Sequence, residues 1–193
     1  MTLRPDLNLI AQQIPHASRV LDLGCGDGSL LQHLINDHDC TGTGVEIDPE
    51  KVLAAIVSGV PVMELDVDAD LSLFATGSYD TVVLSRTIQT LRLPDEVLTQ
   101  MARIAGRLIV SVPNFGLLQH RLMLLRGRMP MSRELPYSWY DTPNIRFTTL
   151  VDLEDLFAGL DLRVERRIVL RQDGEPLRSG LTLGQACVDD RLD

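Results

Sequence analysis

The sequence has few cysteines and few histidines, which argues against disulfide scaffolds and metal centres. The three cysteines are an odd number, none of them at a metal-ligand spacing from another: Cys25, Cys40 and Cys187. A disulfide framework or a cysteine zinc site is therefore not indicated. The four histidines are scattered along the chain, at His16, His33, His38 and His120. We expect a reduced, cytoplasmic protein without a metal site.

Positive charge and long apolar runs are also scarce. The 18 Lys and Arg against 27 Asp and Glu give a net charge of −9, whereas nucleic-acid binding relies on basic side chains that neutralise phosphates. No apolar run reaches membrane-spanning length, and residues 1–14 lack the apolar centre of a signal peptide. We therefore expect no nucleic-acid partner and no membrane association. The length of 193 residues suits a single α/β domain, residues 1–193.

The segment 20–29 carries the most specific local pattern. A short apolar run contains Asp22 and then meets glycines at alternate positions, Gly24, Gly26 and Gly28. This pattern predicts a buried parallel strand that breaks into a tight turn and opens a helix. A second apolar run ends at Glu46, about 20 residues further on, where dinucleotide-binding folds place the carboxylate that holds ribose hydroxyls. The site is therefore predicted to bind a nucleoside.

The spacing of the glycines indicates which nucleoside. The dinucleotide fingerprint requires its third glycine at position 29, which is Ser29 in this chain, so the pyrophosphate pattern fails by one place. Asp22 inside the motif would repel a pyrophosphate and attract an ammonium or sulfonium cation. We therefore predict S-adenosylmethionine, or its product S-adenosylhomocysteine, as the ligand.

Strand and helix patterns alternate along the rest of the chain, without an internal repeat. The predicted strands are 19–23, 41–47, 60–65, 80–84, 107–112, 162–170 and 181–188. The predicted helices are 6–14, 29–38, 50–58, 94–105 and 150–160. Residues 113–148 are predicted to be an irregular inserted segment.

The Asp-x-Gly-x-Gly-x-Gly motif and the acidic strand ends resemble class I S-adenosylmethionine-dependent methyltransferases. The resemblance implies a Rossmann-like sheet of seven mostly parallel strands, the last antiparallel, with helices on both faces. It also implies that Asp22, Gly24 and Gly26 line the methionine half of the cofactor and that Glu46 holds both ribose hydroxyls. Around the adenine it implies packing by Ile47 and recognition by Asp66 and Val67. Cys25 in the turn and Ser85 after the fourth strand complete the predicted cofactor site.

The segment 113–148 is the candidate lid or partner-docking element. Only about 18 residues precede the first strand, so we expect the cofactor to be covered by this segment, by another subunit, or by nothing. The segment holds a basic group and an aromatic group: Arg121, Arg126, Arg128, Trp139 and Tyr140. A solvated helix face or packing beneath a loop would explain each group alone. Arginine with tryptophan and tyrosine on one loop is also the composition of an interface anchor.

The end of the fourth strand offers no catalytic base. Methyl transfer to a hydroxyl or an amine needs positioning and sometimes a general base, whereas Ser85 and Gln89 can only form hydrogen bonds. Cofactor binding is therefore better supported by the sequence than catalysis is, and no catalytic residue is predicted.

Four segments carry a closer resemblance, to the MetW family of methionine biosynthesis proteins: 83–91, 112–116, 126–130 and 135–145. This resemblance implies association with a homoserine O-acyltransferase that needs the protein for its activity. Two hypotheses follow. The chain is a regulatory subunit that binds S-adenosylmethionine and reports methionine status to the acyltransferase, or it is a small-molecule methyltransferase. The state of self-association is left open.

Overall fold

The computed structural model describes residues 3–132 and 135–170, together with the backbone of 186–191. The helices are α1 (Pro5–Ala11), α2 (Ser29–Asp37), α3 (Pro49–Val57), α4 (Pro94–Ile104), α5 (Leu118–Leu125) and α6 (Leu150–Gly159). The strands are β1 (Arg19–Leu23), β2 (Thr41–Glu46), β3 (Val62–Glu64), β4 (Tyr79–Ser85), β5 (Ala105–Val112), β6 (Arg166–Val169) and β7 (Ala186–Arg191).

The strands form one sheet in the order β3-β2-β1-β4-β5-β7-β6. The five strands β1 to β5 run parallel to one another. Strand β7 runs antiparallel to both β5 and β6. The predicted α/β fold with an antiparallel last strand is confirmed. The chain order reverses between β1 and β4, and such a switch point opens a crevice at the carboxyl ends of the strands.

Alternate residues of the central strands pack on opposite faces of the sheet, as the period of a strand requires. In β4, Val82 and Leu84 join the core beneath α4 and α6, whereas Val83 joins the core beneath α1, α2 and α3. The central strands β1, β4 and β5 are therefore mostly buried on both faces, and their carboxyl ends remain open for binding.

The segment 113–148 is not irregular throughout, because α5 lies within it. The leucine-rich run of α5 has apolar residues on more than one side, so it lacks the periodicity that predicts a helix. Strand β6 begins at Arg166, later than the predicted 162. The first part of the last predicted strand, 181–185, lies outside the described residues.

Three of the four histidines lie together although they are scattered in the sequence. The rings of His16 and His38 stack with their centroids 4.6 Å apart, and His33 meets His38 edge-on at 5.3 Å. The described residues contain no group of three or more His, Cys, Asp or Glu arranged to hold a metal ion. Among the same residues, no helix is both long and apolar enough to cross a membrane.

Candidate functional site

A cleft of about 890 Å³ lies at the carboxyl ends of β1, β2 and β4, a volume within the usual range for small-molecule sites. All nine residues predicted to bind the cofactor line this cleft: Asp22, Gly24, Cys25, Gly26, Glu46, Ile47, Asp66, Val67 and Ser85. The parallel strands bring them together because each residue lies at or just after a carboxyl end.

The glycine turn is held against β2 by its backbone. The amides of Gly24 and Cys25 both donate to the carbonyl oxygen of Val45, at 2.8 and 3.0 Å. Gly24 and Gly26 have φ of +72° and +60°, values that favour glycine. A Cβ on Gly26 would meet no described atom within 4 Å. Since Gly26 lines the cleft, the turn leaves open space there for a ligand to approach the backbone.

The buried carboxylate of Glu46 organises this turn. Its Oε2 accepts a hydrogen bond from the Gly26 amide at 2.9 Å, and its Oε1 accepts from the amides of Ile47 and Asp48 at 2.9 and 3.1 Å. A carboxylate offers about four acceptor positions, so one is left for a ligand hydroxyl. The prediction that Glu46 holds both ribose hydroxyls requires that one of the amides be displaced or share its position.

Asp22 is the most perturbed acid in the cleft. It is 2% exposed, and its Oδ1 has no hydrogen-bond partner among the described residues. Burial and, after it, the neighbouring Glu46 carboxylate raise the pKa of Asp22 to about 7, and Arg4 acts in the opposite direction. A buried acceptor with a carboxylate neighbour favours a cationic or hydrogen-donating ligand.

Cys25 lines the cleft as an inert side chain. Burial, with the charges of Asp22 and Glu46, raises the pKa of the Cys25 thiol. The reactive form of cysteine is the thiolate, so this side chain stays protonated and contributes shape to the turn.

The cleft also has an apolar end, past β2 and β3. Ile47 is 60% exposed and lines the cleft, as do Asp66 and the buried Val67. The Asp66 loop is closed by its own hydrogen bonds, since the Asp66 amide donates to Asp70 at 2.8 Å and Oδ1 of Asp66 accepts from the Asp68 amide at 2.9 Å. An exposed isoleucine can pack against the face of a flat ring, and the acidic loop beside it can form hydrogen bonds with the polar edge of that ring.

The contribution of α1 to this cleft was not predicted from the sequence. Arg4 and Leu7 line it, and Asp6 accepts from Arg4 and pairs with Arg86, each at 3.2 Å. Arg86 has a φ of +52°, a strained conformation for a side chain of this size. The expectation of cover from 113–148, another subunit or nothing did not include α1, which also lines the cleft through Arg4 and Leu7.

The segment 135–146 forms another wall of the cleft. Pro136, Tyr137, Pro143 and Asn144 line it. The carbonyl oxygen of Gln89 accepts hydrogen bonds from the amides of residues 145 and 146, at 2.9 and 3.0 Å, which fixes the end of the segment to the cleft floor.

Trp139 and Tyr140 lie on the same segment but outside the cleft. They are 72% and 74% exposed, and their rings meet edge to face with centroids 5.6 Å apart. Arg121, Arg126 and Arg128 are exposed as well and do not line the cleft. The structure therefore separates the predicted partner residues from the predicted cofactor residues.

Asp22→Asn tests the perturbed carboxylate. Because its pKa is raised on folding, Asp22 binds its proton more tightly in the folded chain, and its charge destabilises the fold as pH rises from about 4 to about 7. The variant lacks this charge. Its stability relative to the wild type should rise over that window with a slope of up to about 1.4 kcal/mol per pH unit. Denaturant unfolding at pH 5, 6 and 7 measures the slope.

The matched control for this prediction is Asp27→Asn, since Asp27 also lines the cleft but is exposed. The difference between the pH slopes of the two variants isolates the effect of the buried carboxyl. A flat profile for Asp22→Asn would show that the carboxyl is ordinary in the folded protein.

Comparison with known proteins identifies the family. The sequence model described as methionine biosynthesis protein MetW matches residues 4–185. The bifunctional methionine biosynthesis protein MetXA/MetW of Rhodopirellula baltica is 34% identical over 178 residues, which cover 87% of this chain and 29% of that protein. This chain thus spans less than a third of that relative.

Two solved structures described as S-adenosylmethionine-dependent methyltransferases have the same fold. One from Thermotoga maritima has a TM-score of 0.73 and 18% identity, over 97% of this chain and 87% of its own. One from Mesorhizobium loti has a TM-score of 0.71 and 14% identity, over 98% of both chains. At identities this low, the structural similarity establishes the fold alone, and activity must be argued from the site. The family match over nearly the whole described chain is specific, and by it this chain belongs to the MetW family of methionine biosynthesis proteins.

Proposed function

We propose that this chain is an S-adenosylmethionine-binding regulatory partner of a homoserine O-acyltransferase. The observation that carries the proposal is the position of the segment 135–146. Tyr137 and Asn144 wall the cleft, and between them Trp139 and Tyr140 are exposed. A ligand in the cleft and a protein outside it would therefore contact the same short segment, and the two are thermodynamically coupled when either shifts the conformation of that segment.

Three features of the cleft support S-adenosylmethionine as the ligand. Asp22 would bind the cationic methionine end. Glu46 would bind the ribose beside the turn that holds Gly24, Cys25 and Gly26. Ile47 would pack against the adenine. Asp66 and Val67 would meet the edge of the adenine, with Ser85 closing the cleft at β4. The hydroxyl of Ser85 is engaged with that of Ser111 at 3.2 Å, so this serine supplies shape and polarity and is not poised as a base.

The acyltransferase partner is supported by the curated relative from Rhodopirellula baltica. Its name joins MetXA and MetW in one protein, and joining two modules in one chain raises their effective concentration. The exposed Trp139, Tyr140, Arg121, Arg126 and Arg128 are residue types that anchor protein interfaces. We assign them to the partner and the cleft to the cofactor.

Co-expression with the homoserine O-acyltransferase of the same organism tests the proposal. The two proteins should elute together in size-exclusion chromatography, and the affinity between them should change when S-adenosylmethionine or S-adenosylhomocysteine is added. Separate elution with and without these ligands would overturn the partner role. A complex whose affinity is indifferent to both ligands would overturn the regulatory role.

Methyl transfer to a small molecule is the second candidate, favoured by Gln89. This residue is 8% exposed, lines the cleft, and its Oε1 has no hydrogen-bond partner among the described residues. The oxygen could receive an amine or a hydroxyl of an acceptor. Against this reading, no histidine is among the described residues that line the cleft. Release of S-adenosylhomocysteine that depends on an added acceptor, and that Gln89→Leu abolishes, would favour the enzyme.

A further inference from the structure

Helix α5 presents an apolar stripe that the described part of the chain does not cover. Of its eight described residues, only His120 is buried. Leu118, Leu122 and Leu125 are 58%, 41% and 83% exposed. They stand at i, i+4 and i+7, so they share one side of the helix. At 100° per residue this stripe lies nearly opposite His120.

The orientation of the stripe is fixed at both ends of α5. On the buried side, Nδ1 of His120 lies 3.2 Å from the carbonyl oxygen of Phe115 and donates to it. At the far end Gly127 has a φ of +70°. Its amide donates to Leu124 at 2.8 Å, and the amide of Arg128 donates to Met123 at 3.0 Å, which is the Schellman arrangement that ends a helix. The leucines are therefore held outward by defined contacts.

Charge distinguishes this stripe from the other exposed apolar surface. Arg121, Arg126 and Arg128 stand on or just after α5, in a chain of net charge −9. Helix α3 also exposes leucine, isoleucine and valine, at Leu53, Ile56 and Val57, but its charged residues are Glu50 and Lys51. A partner with carboxylates around an apolar groove would fit α5 and gain little at α3.

We propose that α5 docks as a helix in an apolar, acid-rimmed groove of the homoserine O-acyltransferase, with Leu118, Leu122 and Leu125 as its anchors. This inference rests on the proposed function and adds a second contact to Trp139 and Tyr140. Leucines at i, i+4 and i+7 are the anchor spacing of helices that bind in grooves. The joined MetXA/MetW relative selects the acyltransferase over a second copy of this chain.

The test uses the full-length chain and the acyltransferase of the same organism. The double variant Leu122→Gln and Leu125→Gln keeps good helix formers and removes the apolar contact. Its affinity for the acyltransferase should fall at least about tenfold, with an unchanged melting temperature and unchanged S-adenosylmethionine affinity. The charge variant Arg126→Glu and Arg128→Glu should also weaken the complex, mainly through slower association at low salt.

The matched control is Leu53→Gln with Ile56→Gln on α3, which should bind the acyltransferase as the wild type does. Wild-type affinity of the α5 double variant would overturn the inference and leave the proposed function standing if the complex itself forms. Loss of binding in the α3 variant alone would place the partner on α3 and overturn the inference. If sedimentation shows that the chain alone self-associates through these leucines, a second copy is the occupant and the inference is likewise wrong. Failure of the wild-type chain to bind the acyltransferase would overturn both proposals.

Discussion

Glu46→Ala should weaken S-adenosylmethionine binding about 30-fold or more. Losing a charged acceptor from a ligand hydroxyl costs about 2–4 kcal/mol. The substitution also removes the three backbone hydrogen bonds that Glu46 accepts from residues 26, 47 and 48, so the glycine turn loses the contact that shapes it. Isothermal titration calorimetry measures the affinity.

The control for this variant is Glu64→Ala. Glu64 pairs with Glu46 in the register of β2 and β3 but is exposed and does not line the cleft. The Glu64→Ala variant should bind S-adenosylmethionine with the affinity of the wild type. Wild-type affinity in Glu46→Ala would refute the assignment of the cleft as a nucleoside site. Circular dichroism at the titration temperature confirms that the variant is folded.

Trp139→Ala should weaken the complex with the acyltransferase by about 2 kcal/mol, or about 30-fold. A tryptophan that is mostly exposed in the free chain has a large apolar area left to bury against a partner. For the same reason its removal should change the melting temperature little. Surface plasmon resonance with immobilised acyltransferase measures the loss.

Leu73→Ala is the control, since Leu73 is 65% exposed and lies on a short 3-10 helix before β4, outside the segment 135–146. Cofactor affinity should be unchanged in both variants. If Trp139→Ala keeps the complex and loses methyl transfer, the residue serves an acceptor site instead. A large drop in melting temperature would mean that the ring is structural, and an intact complex with a stable variant would refute docking at this residue.

The sequence was sufficient to bring nine of the cleft residues together because those residues follow short-range rules. Asp22, Gly24 and Gly26 occupy one turn, and Glu46 and Asp66 each end or follow a strand. In a parallel sheet, residues at strand ends converge at one edge. Knowing the strands was therefore enough to place all nine predicted residues around one cleft.

The rest of the site depends on contacts between distant parts of the chain. The pairing of Arg86 with Asp6 and the two bonds from residues 145 and 146 to Gln89 link segments that no periodicity relates. Helix α5 was missed because leucines occur around it, so its pattern has no clear apolar side. The backbone contacts of Glu46 could not be predicted either, since spacing predicts a ribose ligand but says nothing of the three amides that donate to the carboxylate.

The attachment of segment 135–146 at both ends has a kinetic consequence. At its start Leu135 is buried, 5% exposed, and at its end two amides share the Gln89 oxygen. Between these ends a bridge from Ser138 to Asp141 closes the turn that carries Trp139, so we expect a partner to meet a tip that is already formed. The rate at which a partner associates would be set by diffusion and orientation. Differences in affinity between partners would then arise mainly from their dissociation rates.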